Sequence, residues 1–488
     1  MSKKKENSKE RSVSREKWNK HFGKWFRHVL INGKIMDYRY PIKGCGVWLP
    51  YGFKIRENVF GIIRNQLNST GHSETLFPVL IPESSLEKEA EHVEGFEAQC
   101  FWVTHGGQKQ LKTRFALRPT SETVIGPMQH LWIRSHADLP IKLYQIVTVF
   151  RYETKATRPI LRMREFDFKE AHTAHATAKE AEEEVKEETE NYKKIFDTLG
   201  VAYVISRRPD WDKFAGAEYS IAFDMICPDG RTLQIGTVHN LGQHFSKAFD
   251  ITYETEDGKR EPVWQTCAGI SGRGIASVLI MHGDDHGVVL LPKIAPVQIV
   301  IIPIPYRGKA EQVNSTCLKV ANKLRKNSFR VEVDLREDVT PGSKYYDWEL
   351  RGVPIRIEIG PRDIERNEAT IVRRDTFERY TCKAENMKEV LVSFMQKISE
   401  DLCKRAWQWT NQYIHRVEKW EDAKKLLEKK AGIVEVPWCS KTECGHKLEE
   451  LLNARVLGTP EDSKEKVKGK CVICGEKART IVRTAMAY

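Results

Sequence analysis

No run of about 18 or more apolar residues occurs in the 488-residue sequence, so a membrane-spanning helix is not expected. The first segment, Met1 to Lys17, is polar and basic and has no apolar core of the kind a secretory signal carries. A cytoplasmic location follows as an expectation. No internal repeat is visible, which sets aside a solenoid. The eleven cysteines do not form an even framework, and seven of them (Cys45, Cys100, Cys227, Cys267, Cys317, Cys382 and Cys403) are scattered singly. That usage points to a reducing compartment rather than to disulfide stapling.

Aromatic residues (9 %) and a hydrophobic share of 40 % suffice for ordinary cores, and the length allows two to four domains. The formal net charge of +12 favours a polyanionic partner without naming one. Residues 1–17 read as a disordered basic tail. From Ser14 a helical stripe begins, with Trp18, Phe22, Trp25, Phe26 and Val29 on one face. A second helix carries Ile55, Val59, Ile62, Ile63 and Leu67. The segment from Glu74 to Pro82 reads as a strand, and Pro78 within it marks an edge or a boundary.

Residues 141–173 read as two strands joined by a polar loop, Leu143 to Arg151 and Leu161 to Phe168. Residues 177–199 read as a surface helix stopped by Gly200, its acidic run a solvated face. Pro292 and Pro296 flag a domain boundary. Beyond them, alternating strands and helices over 297–400 imply a small α/β domain. Residues 401–488 form a last basic unit.

Four segments carry chemistry. In Val149-Phe-Arg151-Tyr-Glu153, Arg151 and Glu153 share one strand face, as do Arg162 and Arg164 on the returning strand. Such a hairpin offers a polar floor whose arginine forks suit phosphate, or simply cross-strand ion pairs. The glycine-rich turn from Gly269 to Arg273 opens an apolar helix. It is either an anion site or a plain tight turn. In Leu117-Arg118-Pro-Thr120-Ser121-Glu122, Thr120 or Ser121 caps a helix, or a buried Glu122 receives a cationic amine. Gln234, Thr237, His239 and His244 are spaced to form one wall of a polar pocket.

Taken together, these segments resemble motifs 2 and 3 of the class II aminoacyl-tRNA synthetases, with the helix and the Pro78 segment resembling motif 1. Arg118-Pro-Thr-Ser-Glu, Arg164-Glu-Phe with Glu170-Ala-His172, and His239-Asn-Leu-Gly-Gln-His-Phe-Ser-Lys resemble the prolyl-tRNA synthetases of archaeal and eukaryotic type. The resemblance runs from about residue 14 to Tyr488. It implies an α+β catalytic domain with an antiparallel sheet over 18–292, an α/β anticodon-binding domain over 297–400 and a zinc-binding α+β domain over 401–488. It also implies a homodimer built through motif 1. The implied reaction activates L-proline with ATP and Mg²⁺ and transfers it to the 3′ end of tRNA(Pro).

The roles implied are these. Thr120 and Glu122 bind proline, with Phe168, His172 and His239 around it. Phe168 stands where relatives often carry Trp. Arg151 bridges the proline carboxylate and the α-phosphate. Glu153 holds the adenine end, and Arg162 and Met163 meet phosphate or adenine. Gln234, Thr237 and Ser271 contact ATP, and Arg273 holds the γ-phosphate. Glu349, Arg351, Arg362 and Arg373 are anticodon candidates that read equally as surface ion pairs. Bacterial-type relatives insert an editing domain between motifs 2 and 3, and the interval here has no room for it.

Rival readings are a related synthetase for threonine or histidine, and a non-catalytic RNA-binding paralogue. The retained Arg151, Glu153 and Arg273 oppose the second. Near the C-terminus, Cys439, Cys444, Cys471 and Cys474 have the spacing of a closed tetrahedral Zn²⁺ site. Free thiols or a redox pair are the alternatives. In the family a C-terminal tyrosine folds back toward the active site, a role that would fall to Tyr488.

Overall fold

The computed structural model describes residue 18 and residues 21–90, 99–304, 306, 308–461 and 467–488. The basic tail expected over 1–17 lies outside these. The expected aromatic stripe is real: Trp18, Phe22, Trp25, Phe26 and Val29 are all buried, the last four on the helix Phe22–Asn32. The next helix, Pro50–Ser69, starts with Pro at its first turn and buries Ile55, Val59, Ile63 and Leu67 on one stripe.

Among the described residues, eleven strands form the main sheet. Their order is Ile414–Arg416, Ile433–Trp438, Thr480–Ala485, Arg455–Pro460, Val204–Arg207, Tyr219–Ile226, Thr232–Gly242, Trp264–Ser271, Glu165–His175, Ile141–Phe150 and Ser73–Glu74. All neighbours pair antiparallel except the outermost pair at each edge. The helices Ala178–Thr198 and Arg273–Met281 cover one face and leave the opposite face for a site.

Several expectations need correction. The segment from Glu74 to Pro82 is not one strand. Ser73–Glu74 joins the main sheet, Leu80–Pro82 joins a separate three-stranded sheet, and Pro78 lies in the break, where it has no N–H to give a ladder. The paired hairpin strands end at Phe150↔Glu165, so Arg151, Glu153, Arg162 and Arg164 lie in the connecting loop beyond them. Their proximity comes from loop bonds, Arg151 N to Arg164 O at 2.8 Å and Arg162 Nε to Glu153 Oε2 at 2.7 Å.

The acidic helix Ala178–Thr198 begins with a Thr177/Glu180 capping box and stops before Gly200 at φ +69°. Its acidic run is not wholly solvated. Glu184 and Glu188 are buried, because Lys142 reaches Glu184 at 2.7 Å, His72 reaches Glu184 at 3.1 Å and Lys169 lies 3.6 Å from Glu188.

The small α/β domain has a five-stranded sheet in the order Val331–Val333, Ile299–Pro303, Ile355–Ile359, Glu368–Arg373, Arg379–Lys383. Its first three strands are parallel, joined by the helices Ala310–Lys326 and Pro341–Leu350. The boundary expected at 400/401 falls inside the helix Met387–Gln412, whose Leu391, Ile398, Leu402 and Ala406 belong to the central core. The last unit therefore begins after Gln412. It is not a detached module either, since Thr459 and Pro460 pair with Arg207 and Ser206 and extend the catalytic sheet.

Candidate active site

The uncovered face of the sheet forms the site row by row. Ser220, His239, Cys267 and His172 stand opposite one another across four adjacent strands. Two residues along, the row reads Thr237, Gly269 and Glu170, and the next pairs Ser271 with Phe168. Side chains two apart on a strand share a face, so these rows make one floor. Gly269 is required there, because a Cβ would come within 2.7 Å of the Phe168 ring.

Above this floor is a cavity of about 290 Å³. Thr120, Glu122, Arg151, Glu153, Arg162, Met163, Phe168, Gln234, Thr237, His239, Ser271 and Arg273 all line it. His172 sits just behind them, 3.3 Å from Glu170. His244 is not part of the wall; its ring, half exposed, lies 3.7 Å from Glu218.

At one end Glu122 is buried as the first residue of the helix Glu122–Trp132. Thr120 Oγ1 donates to Glu122 Oε2 at 2.5 Å, and Cys267 Sγ lies 3.3 Å from Glu122 Oε1. Ser121 Oγ donates to Glu170 Oε1 at 2.7 Å and accepts from Gln145 Nε2 at 2.8 Å. Burial disfavours charge on His172, but the Glu170 hydrogen bond and the Glu122 and Glu170 charges outweigh it, so its pKa is raised. For His239 burial outweighs the Glu122 charge, and the nearby His172 and Arg208 add to it, so its pKa is pushed down to about 4 and the ring is neutral at pH 7. Its Nδ1 lies 2.7 Å from Ser220 Oγ and its Nε2 3.0 Å from Thr237 Oγ1.

At the other end the charge changes sign. Arg273 opens the helix Arg273–Met281, and its Nε donates to Leu161 O at 2.8 Å. Burial, then the nearby Arg162 and Arg151, lower its pKa to about 10. Burial also lowers that of Arg151, whose Nε donates to Pro119 O at 3.0 Å. Four guanidinium groups line the cavity, those of Arg151, Arg162, Arg208 and Arg273, and two of them, Arg151 and Arg273, are depressed in pKa, an arrangement suited to a polyanion. The cavity thus presents a buried carboxylate at the Glu122 end and guanidinium groups at the Arg273 end.

Sequence reasoning missed Arg208. It is buried, donates to both Asp224 oxygens at 3.0 Å, to Gln234 Oε1 at 2.9 Å and to Leu457 O at 2.8 Å, and lines the cavity. Its only local signal was an arginine before Pro209. Cys267, treated in the sequence as one scattered cysteine, is part of the floor.

Tyr488 lies against the loop that carries Arg162. Its hydroxyl donates to Asp229 Oδ2 at 2.7 Å, and the Arg158 guanidinium stands 4.7 Å over its ring. The four C-terminal cysteines converge, with their sulfurs all within 4.8 Å of one another; Cys439, Cys444 and Cys471 are buried. Four thiols in that space are the donor set of a tetrahedral Zn²⁺. Burial opposes ionisation of Cys471, but surrounding backbone amides outweigh it and hold its pKa down at about 7.

The anticodon candidates divide. Arg362 is exposed on the short helix Pro361–Glu365. Arg351 stacks 4.7 Å over Trp348, and Glu349 pairs with Arg356 at 2.5 Å. Arg373 is a correction: it is 1 % exposed and bound to Asp375 at 2.8 Å and Asp401 at 2.7 Å. A guanidinium buried between two carboxylates holds the domain together and presents no surface to a base.

Comparison with known proteins places this architecture. Residues 101–282 match the model of the class II tRNA synthetase core domain (G, H, P, S and T). Residues 298–394 match the anticodon binding domain, and 420–488 the C-terminal domain of prolyl-tRNA synthetase. The fold and site are those of a class II aminoacyl-tRNA synthetase.

Among curated proteins, the proline–tRNA ligase of Metallosphaera sedula is 53 % identical over 480 residues, spanning 98 % of this chain and 100 % of its own. That of Pyrococcus abyssi is 49 % identical over the same span. Among solved structures, Giardia lamblia prolyl-tRNA synthetase in complex with prolyl-adenylate superposes with a TM-score of 0.93 at 35 % identity, covering 98 % of this chain and 99 % of that one. The chain belongs to the prolyl-tRNA synthetase family.

Proposed function

We propose that this chain activates L-proline with ATP and transfers it to the 3′ end of tRNA(Pro). One observation carries the reading: a buried carboxylate, Glu122, and the guanidinium groups of Arg151 and Arg273 line a single cavity. The proline ammonium meets Glu122 and Thr120, with Phe168 as a flat apolar wall, His239 beside it and His172 behind. Arg151 holds the proline carboxylate against the α-phosphate. A carboxylate oxygen attacks that phosphorus in line, the bond to the bridging oxygen breaks, and pyrophosphate leaves toward Arg273. Glu153, Arg162, Met163, Gln234, Thr237 and Ser271 hold the nucleotide. Positioning and charge stabilisation supply the catalysis, and no side-chain nucleophile is needed. Mg²⁺ bound with ATP would neutralise phosphate charge.

A terminal hydroxyl of the tRNA then attacks the prolyl carbonyl carbon and AMP leaves. The 298–394 domain binds the anticodon, with Glu349, Arg351 and exposed Arg362 as contacts. The four cysteines hold a structural Zn²⁺. A homodimer is supported by exposed apolar side chains at the motif 1 segment, Leu76, Val79 and Leu80, and at the end of the helix Glu122–Trp132, Leu131 and Trp132. No helix among the described residues is long and apolar enough to cross a membrane, which agrees with a cytoplasmic enzyme. The short interval between motifs 2 and 3 supports the absence of editing in cis.

Pyrophosphate exchange measured with each amino acid in turn tests the whole reading. Exchange that depends on proline is expected. Exchange driven by threonine or histidine, or none at all, would overturn it. Rapid hydrolysis of alanyl-tRNA(Pro) by the purified protein would overturn the editing statement.

A further inference from the structure

The amino-acid end of the cavity holds a donor set that recognition of an ammonium does not call for. Glu122, His172 and Cys267 each bring one ligand-type atom to a common point, all within 4.8 Å of one another, and all three residues are buried. The arrangement is built into the sheet. Cys267 and His172 are direct cross-strand partners, which keeps their Cβ atoms about 5 Å apart. Glu122 enters from the helix above, with Oε1 3.3 Å from Cys267 Sγ.

A second buried trio, His72 with Glu184 and Glu188, differs in kind. The ammonium groups of Lys142 and Lys169 stand beside its carboxylates and supply the positive charge themselves. Among the described residues, no lysine is bonded to Glu122, whose partners are Thr120 and Cys267.

A thiolate, an imidazole and a carboxylate together are a borderline-soft set that suits Zn²⁺ or Co²⁺ and does not suit Mg²⁺. Metal–ligand bonds of about 2.0–2.3 Å put tetrahedral neighbours roughly 3.3–3.8 Å apart. Atoms that all lie within 4.8 Å of one another must therefore draw in by at most about 1 Å, the scale of a side-chain rotation. Three protein ligands leave a fourth position, as in zinc sites that keep one open. Binding releases the Cys267 thiol proton, and the proton of His172 where that ring is charged, to solvent, and the ion then shares the space where the proposed function seats the proline ammonium.

We propose that the amino-acid subsite binds Zn²⁺ through Glu122, His172 and Cys267, and that the ion and proline exclude each other. The exclusion rests on the functional reading above; the metal site itself does not.

The test uses the full chain with its four-cysteine cluster already filled with Zn²⁺. Co²⁺ is titrated in and followed by its thiolate charge-transfer absorption, and Zn²⁺ inhibition of proline-dependent pyrophosphate exchange is measured in parallel. One further equivalent of Co²⁺ should bind, and saturating proline should remove its signal. The Zn²⁺ concentration for half inhibition should rise in proportion to proline. C267A should abolish the absorption and raise that concentration by about tenfold or more, relative to its own uninhibited rate.

If C267A fails to fold, the proline competition on the unaltered chain decides alone. Absence of the extra equivalent, or an extra equivalent indifferent to proline while exchange without added metal is normal, overturns the proposal. Absence of exchange without added metal overturns the functional reading instead.

Discussion

Arg208 donates to Gln234 Oε1 at 2.9 Å, and this bond holds the Gln234 amide in one orientation at the cavity wall. The same guanidinium pairs with buried Asp224, whose pKa burial and then the nearby Asp212 charge raise against the pull of Arg208, and reaches Leu457 O in the C-terminal unit. Arg208→Lys keeps a charge but loses the planar fork. The mutation should raise the KM for ATP by about tenfold, in line with roughly 1–3 kcal/mol for a buried charged hydrogen bond, and leave the KM for proline nearly unchanged. Equal effects on both substrates in pyrophosphate exchange would count against this division.

Glu122 divides the substrates the other way. Glu122→Gln keeps the shape and the Thr120 neighbour but removes the charge opposite the ammonium. A loss of about 2–3 kcal/mol corresponds to a 30- to 150-fold rise in the KM for proline. ATP binding, followed by nucleotide fluorescence without proline, should be retained.

The main motifs were legible because their chemistry is local. Thr120 and Glu122 are two apart, Gln234 and Thr237 lie on one strand, and Arg273 opens a helix just after its glycines. What was hidden depends on distant pairing. Glu184 and Glu188 look like part of any solvated acidic helix until Lys142, Lys169 and His72 arrive from other elements. Arg373 read as a surface cation because Asp401, which buries it, is far along the chain. The continuity of the C-terminal strands with the catalytic sheet rests on the short contact of Thr459 and Pro460 with Val204–Arg207. No periodicity in either segment announces that partner.

Two buried histidines give the molecule a defined acid sensitivity. Burial lowers His239 to about 4 and His282 to about 3, from an ordinary 6.5. Between those values the unfolded chain binds protons that the native one refuses, so stability falls as pH drops from about 6.5 toward 4 and is unaffected above 7. Each unit of depression is worth about 1.4 kcal/mol at full effect, so the pair amounts to roughly 8 kcal/mol when both are fully expressed, and less over the pH range from 6.5 to 4.5. His282→Gln, which cannot be charged, should flatten the fall of melting temperature between pH 6.5 and 4.5. A slope equal to that of the unaltered chain would contradict the assignment.

Zinc removal should reach the nucleotide end of the cavity. Cys439 follows the strand Ile433–Trp438, Cys444 lies in the helix Thr442–Leu452, and Cys471 and Cys474 belong to a turn before Thr480–Ala485. An ion bound by all four would tie these elements together. Without it, four thiols remain at close range in a small unit whose own core includes Cys439, Cys444 and Cys471 themselves. Loosening that unit frees Arg455–Pro460, and with it Leu457 O, from Arg208. Chelation, or Cys471→Ser, should release about one equivalent of zinc and lower the melting temperature. It should also raise the KM for ATP in the same direction as Arg208→Lys, with a smaller effect on proline. If zinc leaves and the KM for ATP does not move, the pairing across Val204–Arg207 does not couple the two regions.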